Sequence, residues 1–245
     1  MTRPFCFAER DLRPSVSAAV DRGRPLDLGS SQHCAIVAVQ IVGFTGQGRD
    51  DEVQLALRAA VFQMLITAFD AAGVGWEECP HEDRIDGVLV IVPLRMPTAV
   101  LIDPLLPHLQ AGLRLHNRLS AAIARIGLRV AIHIGEVHRD HHGFAGTAIN
   151  HVVRLVETPG SGEAPTAGGA ELCLIVSDYV YDSVVRHCRG LIDPTAFQPV
   201  IATVEESRPR RGSGNRRPHR RSLQWAAASQ VGPVPTATSR VTHSG

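Results

Sequence analysis

The residues of this sequence best suited to chemistry are an asparagine and an arginine four positions apart, Asn150 and Arg154. They follow a long apolar stretch, residues 128–137, that predicts a β-strand. A pair at positions i and i+4 near the start of a helix projects from one face. The amide and the guanidinium can then hold a sugar oxygen and a phosphate together. Such a pair suits phosphoryl transfer, which also calls for carboxylates that hold metal ions.

Composition predicts one folded domain with extensions rather than two full domains. The chain has 245 residues, of which 44% are hydrophobic, enough for one well-buried core. No uninterrupted apolar run is long enough to span a bilayer, and the first ten residues lack the apolar centre of a signal peptide. The five cysteines form no Cys-x-x-Cys pair. We therefore expect reduced thiols, a cytoplasmic protein and no membrane partner.

The formal charge of +1 conceals an uneven distribution. All 25 basic residues are arginine, and the chain contains no lysine. Eight of the arginines lie in residues 207–245, which contain no acid, so this segment carries +8 and the rest of the chain carries −7. A site that needs a fixed positive charge must therefore use arginine. The basic segment also suggests binding to nucleic acid or another anionic polymer.

Hydrophobic periodicity predicts the element order β-α-β-β-α-β, followed by a further strand, helix and strand. The hairpin between the second and third strands is predicted to turn at residues 81–84. This order is typical of an α+β fold of the ferredoxin-like, split βαβ kind with a C-terminal addition. We predict an irregular arm in residues 1–32, the folded domain in residues 33–206 and a disordered, arginine-rich tail in residues 207–245.

Four motifs, in the expected order and spacing, resemble the catalytic domain of the class III nucleotide cyclases. The flanking sequence is most similar in style to lysine-poor actinobacterial members. The motifs cover a region from about residue 35 to residue 206, and they are Gln40-Ile-Val-Gly-Phe-Thr45, Ile85-Asp86-Gly87, Arg129-Val-Ala-Ile-His-Ile-Gly-Glu136 and Gly146-x-x-x-Asn150-x-x-x-Arg154.

The resemblance implies attack of a ribose 3′-oxygen on its own α-phosphorus, with two Mg²⁺ or Mn²⁺ ions held by two aspartates. Asp86 occupies one aspartate position, but Gln40 occupies the other. The lysine that relatives place near the last strand is also absent, and residues 203–205 are the nearest match to it. These departures predict that the first metal aspartate is lost and that catalysis is degraded.

Other site positions follow from the same resemblance. Glu82 lies where relatives carry a base-reading residue, and a carboxylate there favours guanine; its partner position is Gly143. The Gly43-Phe44-Thr45 segment either cradles phosphate through its backbone N–H groups or simply turns the chain. Asn150 and Arg154 match the catalytic pair that one protomer contributes across a two-fold interface.

Simpler interpretations remain beside these. Asn150 and Arg154 also fit a helix cap and a surface arginine, and Asp86 fits an ordinary turn acid. The histidines of residues 138–142 have no spacing typical of a closed zinc site, and a solvated loop is favoured there.

Three functions are consistent with the sequence. The leading one is a degraded cyclase domain that dimerises and binds a purine nucleoside triphosphate. The second is an active cyclase that converts ATP or GTP to the 3′,5′-cyclic nucleotide, either alone or as half of a heterodimer with an intact chain. The third is an anionic-polymer-binding protein that acts through the basic tail.

Overall fold

A computed structural model describes residues 29–158, 171–187, 193–202 and 222–228. Residues 1–28 of the predicted arm lie outside the described residues. The last two residues of that arm, 31 and 32, belong to the first strand. The strands are β1 Ser31–Ile41, β2 His81–Arg84, β3 Gly87–Pro93, β4 Leu128–Asp140, β5 Gly143–Ala145, β6 Leu172–Ser177, β7 Gln198–Ala202 and β8 Ser222–Ala228. The helices are α1 Asp51–Ala71, α2 Leu105–Leu119, α3 Thr147–Glu157 and α4 Asp178–Ser183.

All eight strands belong to one sheet. Its order is β2-β3-β1-β4-β6-β8-β7, and β5 pairs with β4. The β4–β6 pair is parallel, and the remaining pairs are antiparallel. The predicted α+β architecture with a split βαβ core and a C-terminal addition is confirmed, because β1 lies between β3 and β4 and the later strands extend the same sheet.

The sheet has an apolar core on each face. Helices α1 and α2 pack on one face and α3 packs on the other. Successive strand residues point to opposite faces, so β1 contributes to both cores. Ala35, Val37, Val39 and Ile41 face α1 and α2, whereas Cys34, Ile36 and Ala38 face α3. By the same alternation, Gln40 lies on the α3 side.

The first helix begins with a side-chain cap. The Asp50 carboxylate accepts a hydrogen bond from the Val53 backbone N–H at 2.9 Å, and two further acids occupy the first turn, where the helix dipole favours negative charge. At 21 residues α1 is long and apolar enough to cross a bilayer by length and composition. Its buried residues pack into the core instead, and they are Leu57, Val61, Leu65, Ala68 and Phe69.

The prediction of disorder throughout residues 207–245 is wrong for β8. Ser222–Ala228 lies between β6 and β7. Trp225 stacks on Tyr181 with ring centroids 3.8 Å apart, and its Nε1 donates to the Asp178 carboxylate at 3.1 Å. The domain boundary at residue 206 is therefore too early. The sequence does not indicate this strand because arginine, proline and serine dominate its flanks and three of its seven residues are alanines. The rest of the predicted tail lies outside the described residues.

The β2–β3 hairpin turns later than the sequence predicts. His81–Arg84, predicted as the turn, forms strand β2, and the turn residues are Ile85 and Asp86. The four residues of β2 are polar and largely solvent-exposed because β2 is an edge strand. An edge strand needs little apolar surface, so its sequence resembles that of a turn.

Candidate functional site

Two of the predicted site residues are in direct contact. Gln40, near the end of β1, donates a hydrogen bond from Nε2 to Oδ2 of Asp86 at 2.9 Å. Asp86 is held there by its own backbone, because its carbonyl accepts from the Ile41 N–H at 2.7 Å. Both side chains are partly buried. The structure therefore brings together the two positions at which the family resemblance implies metal aspartates.

The donor chemistry of this pair does not fit two hard cations. Mg²⁺ and Mn²⁺ bind oxygen ligands, above all carboxylates, whereas the Gln40 amide presents an N–H to the Asp86 carboxylate. Within the described parts of the chain no group of three or more histidine, cysteine, aspartate or glutamate side chains could hold a metal ion. The Gln40 amide N–H instead forms a hydrogen bond with the Asp86 carboxylate, whose negative charge a cation would otherwise neutralise.

Gly87 lets the hairpin lie against β1. A Cβ atom at this position would be 1.9 Å from the Val39 carbonyl oxygen and 3.1 Å from the Gln40 Cα. Both are backbone atoms of the neighbouring strand and cannot rotate away. The absence of a side chain at Gly87 is what places Asp86 within reach of Gln40.

The loop after β1 contains the predicted phosphate-binding residues. Gly43 has a left-handed φ of 64° and its carbonyl accepts from the Gly46 N–H at 2.9 Å, which closes a turn. Phe44 is buried in the core on the α1 side, and Thr45 is exposed. The segment therefore turns the chain and anchors it through Phe44.

Arg49, which the sequence analysis does not identify, fixes the loop after β1 by hydrogen bonds. The Arg49 guanidinium donates to the carbonyls of Val42 and Gly43, and also to those of Ile123 and Arg125 across the loop, at 2.6–3.2 Å. The loop is thus fixed relative to the turn that precedes β4. No pattern in the sequence indicates this role, because all four acceptors are backbone oxygens.

The charge beside the loop is negative. Asp50, Asp51 and Glu52 follow it directly, and Asp50 already caps the first turn of α1. A phosphate placed at this helix end would approach three carboxylates, which opposes the attraction of the helix dipole. The loop is therefore poorly suited to hold a triphosphate through α1.

Glu82 and Gly143, the predicted base-reading pair, are also in contact. Glu82 Oε1 accepts a hydrogen bond from the Phe144 N–H at 2.5 Å. A Cβ atom on Gly143 would be 1.9 Å from that oxygen, so glycine is required for the contact. One oxygen of Glu82 is already engaged, at the edge of a surface cleft of about 500 Å³ between β2 and the β4–β5 hairpin.

Asn150 and Arg154 lie on the solvent side of α3. Both are exposed, whereas the opposite side of the helix packs on the sheet. One helical turn separates them, as the sequence predicts, and they project from one face. They point away from their own core, towards solvent.

The sequence matches no protein-family model and no curated protein sequence. Several solved structures do match. The guanylyl cyclase Cya2 aligns with a TM-score of 0.56 at 15% identity over 84% of this chain and 96% of that protein's chain. The chain has the fold of a nucleotide cyclase catalytic domain.

Two further structures support the same cyclase fold. An adenylate/guanylate cyclase/hydrolase from Silicibacter pomeroyi aligns with a TM-score of 0.56 at 17% identity over 82% of this chain and 99% of that chain. The guanylate cyclase domain of RhGC from Catenaria anguillulae, solved in complex with GTP, aligns with a TM-score of 0.51 at 14% identity over 81% of this chain and 97% of that chain. The resemblance inferred from the four motifs is confirmed at the level of the fold.

The β4–β5 hairpin of this cyclase-like domain contains the histidines that invite a zinc interpretation. The Asp140 carboxylate accepts from the backbone N–H groups of His142 at 2.7 Å and Gly143 at 3.0 Å. Asp140 therefore acts as a turn residue. His141 and His142 are exposed at the tip of the hairpin, in agreement with the favoured interpretation of a solvated loop.

His133 lies between the sheet and α3. Its Nδ1 is 2.9 Å from the Ser177 hydroxyl oxygen, and its ring centroid is 4.5 Å from that of His151 on α3. Burial, together with smaller contributions from His151 and His33, lowers the pKa of His133 to about 4. Burial also lowers the pKa of His151, with a contribution from Arg154. The neutral imidazole is thus part of the packing of α3.

We expect acid to weaken the folded state through His133. Because its folded pKa lies below the unfolded value of 6.5, the unfolded chain binds more protons between about pH 6.5 and pH 4. Stability should therefore fall as the pH drops through this window. Thermal unfolding at pH 7 and pH 5 checks this: His133→Gln should show a smaller decrease in melting temperature than wild type. The exposed control His108→Gln should match wild type, and equal decreases in all three would contradict the assignment.

Proposed function

We propose that this chain is a catalytically degraded nucleotide cyclase domain that dimerises and binds a purine nucleoside triphosphate. One observation supports the loss of catalysis above all: the Gln40 amide donates to Asp86 where two carboxylates would be needed to bridge two cations. A single carboxylate neutralises only a small part of the positive charge of two divalent cations. Two dications near one carboxylate then repel each other with little compensation.

Nucleotide binding is supported by the fold and by Glu82. The likeness to a guanylate cyclase domain solved with GTP makes the corresponding surface of this chain the place to look for a nucleotide. Glu82 retains one oxygen beyond its contact with the Phe144 N–H, and a carboxylate oxygen accepts from the amino and imino groups of guanine. We therefore favour GTP over ATP.

Dimerisation is supported by the exposure of Asn150 and Arg154. In a dimer of cyclase type these two residues would face the Asp86 region of the second protomer. Each site of a homodimer would then contain an intact Asn150–Arg154 pair and a damaged metal position. Such an assembly can bind a nucleotide without converting it.

The proposal is tested by titrating the wild-type protein with fluorescent GTP and ATP analogues, with sedimentation velocity to measure its mass. We expect saturable binding, tighter for GTP, by a species of twice the monomer mass. Glu82→Ala should reduce the preference for GTP. A protein that remains monomeric at tens of micromolar and binds neither nucleotide would contradict the proposal.

A second candidate follows from the exposure of the same pair. In a heterodimer, this chain would supply Asn150 and Arg154 to the two aspartates of an intact cyclase chain. The test mixes this protein with a cyclase chain whose own asparagine and arginine have been removed. Activity should appear in the mixture and be lost with Asn150→Ala but not with Thr147→Ala, an exposed control on the same helix. Equal activity with both variants would contradict the candidate.

A further inference from the structure

The outer face of α1 carries no charge along most of its length. Arg58 is the single charged residue in positions 53–69. It turns away from the outer face, because its guanidinium pairs with Asp83 of the neighbouring hairpin and donates to the Ile85 carbonyl at 3.0 Å. A surface helix ordinarily has charged residues on its solvent side. Here the exposed residues between the two ends of α1 are Leu55, Ala56, Ala59, Gln63 and Thr67.

Helix α2 extends this uncharged face with exposed aliphatic side chains. It packs beside α1, since a Cβ atom on Gly112 would be 3.4 Å from the Met64 Cγ. Leu115 and Leu119 follow Gly112 at helical spacing on the same side of α2, and they are 50% and 77% exposed. Ile123, in the turn after α2, is 40% exposed. These three side chains and the exposed residues of α1 form what we call the α1–α2 surface, and a contiguous apolar surface of this kind is typical of an interaction site.

The charges that border the α1–α2 surface are separated by sign. Exposed acids occupy both ends of α1, whereas α2 contains no acid and has exposed basic side chains. The two helices run in opposite directions, because Ile123, just after α2, lies against the loop that precedes α1. Glu52 and Arg118 therefore lie towards one end of the surface, and Asp70 and His108 lie towards the other end.

We propose that the α1–α2 surface binds the same surface of a second copy of this chain. A two-fold axis that runs along the groove between the two helices places α1 of each protomer on α2 of its partner. This operation does not exchange the ends of the surface, so Glu52 of one protomer faces the Arg118 end of its partner. The aliphatic side chains of α2 then pack against the small side chains of α1. The opposite charges on the two helices make the surface complementary to itself.

The size of the α1–α2 surface indicates a weak, reversible contact. Helices α1 and α2 have 21 and 15 residues. They are thus about 31 and 22 Å long and about 10 Å wide each, and together they cover roughly 500 Å² in projection. Two such surfaces bury roughly 1,000 Å² in total, which is at the low end for specific interfaces. We therefore expect self-association through this surface at about 100 µM or more.

This contact is separate from the dimer proposed above and does not depend on it. Helix α3, with Asn150 and Arg154, packs on the opposite face of the sheet, so both contacts can form at once. Two-fold contacts on opposite faces would join dimers into tetramers or longer assemblies. Substitutions on one face can therefore remove one contact and leave the other intact.

The test measures self-association by sedimentation velocity over a concentration series that extends to several hundred micromolar. Wild type is compared with Leu115→Glu and with Tyr179→Glu. Tyr179 is 57% exposed on α4, outside the α1–α2 surface, and serves as the control. We expect the mean mass of wild type and of Tyr179→Glu to rise equally with concentration. Leu115→Glu should associate at least about tenfold more weakly, because it places two charges in the apolar centre of the contact.

A charge exchange tests the two-fold arrangement and separates association from folding. Glu52→Arg and Arg118→Glu should each associate about threefold more weakly or worse, because each variant places like charges opposite one another at both ends of the two-fold pair. An equimolar mixture of the two variants should recover wild-type association, since both facing pairs are then of opposite charge. Recovery requires both variants to be folded, so this experiment also decides the case in which Leu115→Glu does not fold.

The results that would overturn the contact are distinct from those that bear on the proposed function. If Arg154→Glu abolishes all self-association while Leu115→Glu associates as wild type does, the association belongs to the α3 side and the α1–α2 contact is refuted. A mixture of the charge variants that fails to recover refutes the two-fold arrangement. If wild type stays monomeric at several hundred micromolar but binds phosphatidylcholine–phosphatidylglycerol vesicles through Leu115, the surface contacts lipid and the proposal is wrong.

Discussion

Replacing Gln40 with aspartate is expected to make the stability of the domain depend on Mn²⁺, whereas the stability of wild type should not respond to this ion. In wild type the Gln40 amide donates to Asp86 at 2.9 Å. Gln40→Asp removes this donor and places a second carboxylate beside the first. Two neighbouring carboxylates repel each other, so we expect a loss of about 1–3 kcal/mol in the free energy of unfolding in EDTA at pH 7.

The divalent cation should reverse that loss, because two carboxylates form the kind of oxygen site that Mn²⁺ prefers. Thermal unfolding in EDTA and in Mn²⁺ measures the effect. Gln40→Ala is the matched control, since it removes the hydrogen bond without adding charge. It should be destabilised in both buffers with no response to Mn²⁺. A melting temperature of Gln40→Asp that is unchanged by Mn²⁺ would contradict the placement of these side chains.

The largest loss of stability is expected for Gly87→Ala. The added Cβ would be 1.9 Å from the Val39 carbonyl oxygen and 2.9 Å from its carbonyl carbon. Relief of this clash requires β1 and β3 to separate where Gly87 pairs with Gln40, at the end of their ladder. We expect a loss of at least about 3 kcal/mol in the free energy of unfolding, or failure to fold.

Urea unfolding followed by circular dichroism checks this prediction. The matched control is Gly112→Ala on α2, where the nearest atom to an added Cβ is the Met64 Cγ at 3.4 Å. Alanine is the better helix former, so this change should stabilise the domain by up to about 1 kcal/mol. Equal stability of Gly87→Ala and wild type would mean that the hairpin does not lie against β1 as described.

The sequence predicts most of the fold because its elements have strong periodicity. The apolar alternation of β1 and β4 and the helical spacing in α1 arise from burial on defined faces, which leaves a clear pattern. The β2 and β8 strands were misassigned for opposite reasons. β2 is a polar edge strand that resembles a turn. β8 is an inner strand in which three of seven residues are alanines, and it lies between β6 and β7 although arginine- and proline-rich sequence flanks it.

The candidate site was predictable in its positions but not in its contacts. Motif spacing indicated Gln40, Asp86 and Glu82 together with the Asn150–Arg154 pair. No local pattern shows that the Gln40 amide turns its N–H towards Asp86, because that orientation is chosen by the surrounding fold.

The central claim, that catalysis was lost at Gln40, is tested most directly by a search for cyclic nucleotide product. Purified wild type is incubated with each ribonucleoside triphosphate and with Mg²⁺ or Mn²⁺, and products are analysed by mass spectrometry beside Gln40→Asp and Asp86→Ala. We expect no cyclic nucleotide from wild type under any condition. A cyclic product that wild type makes and Asp86→Ala abolishes would contradict the claim and establish the domain as an active cyclase.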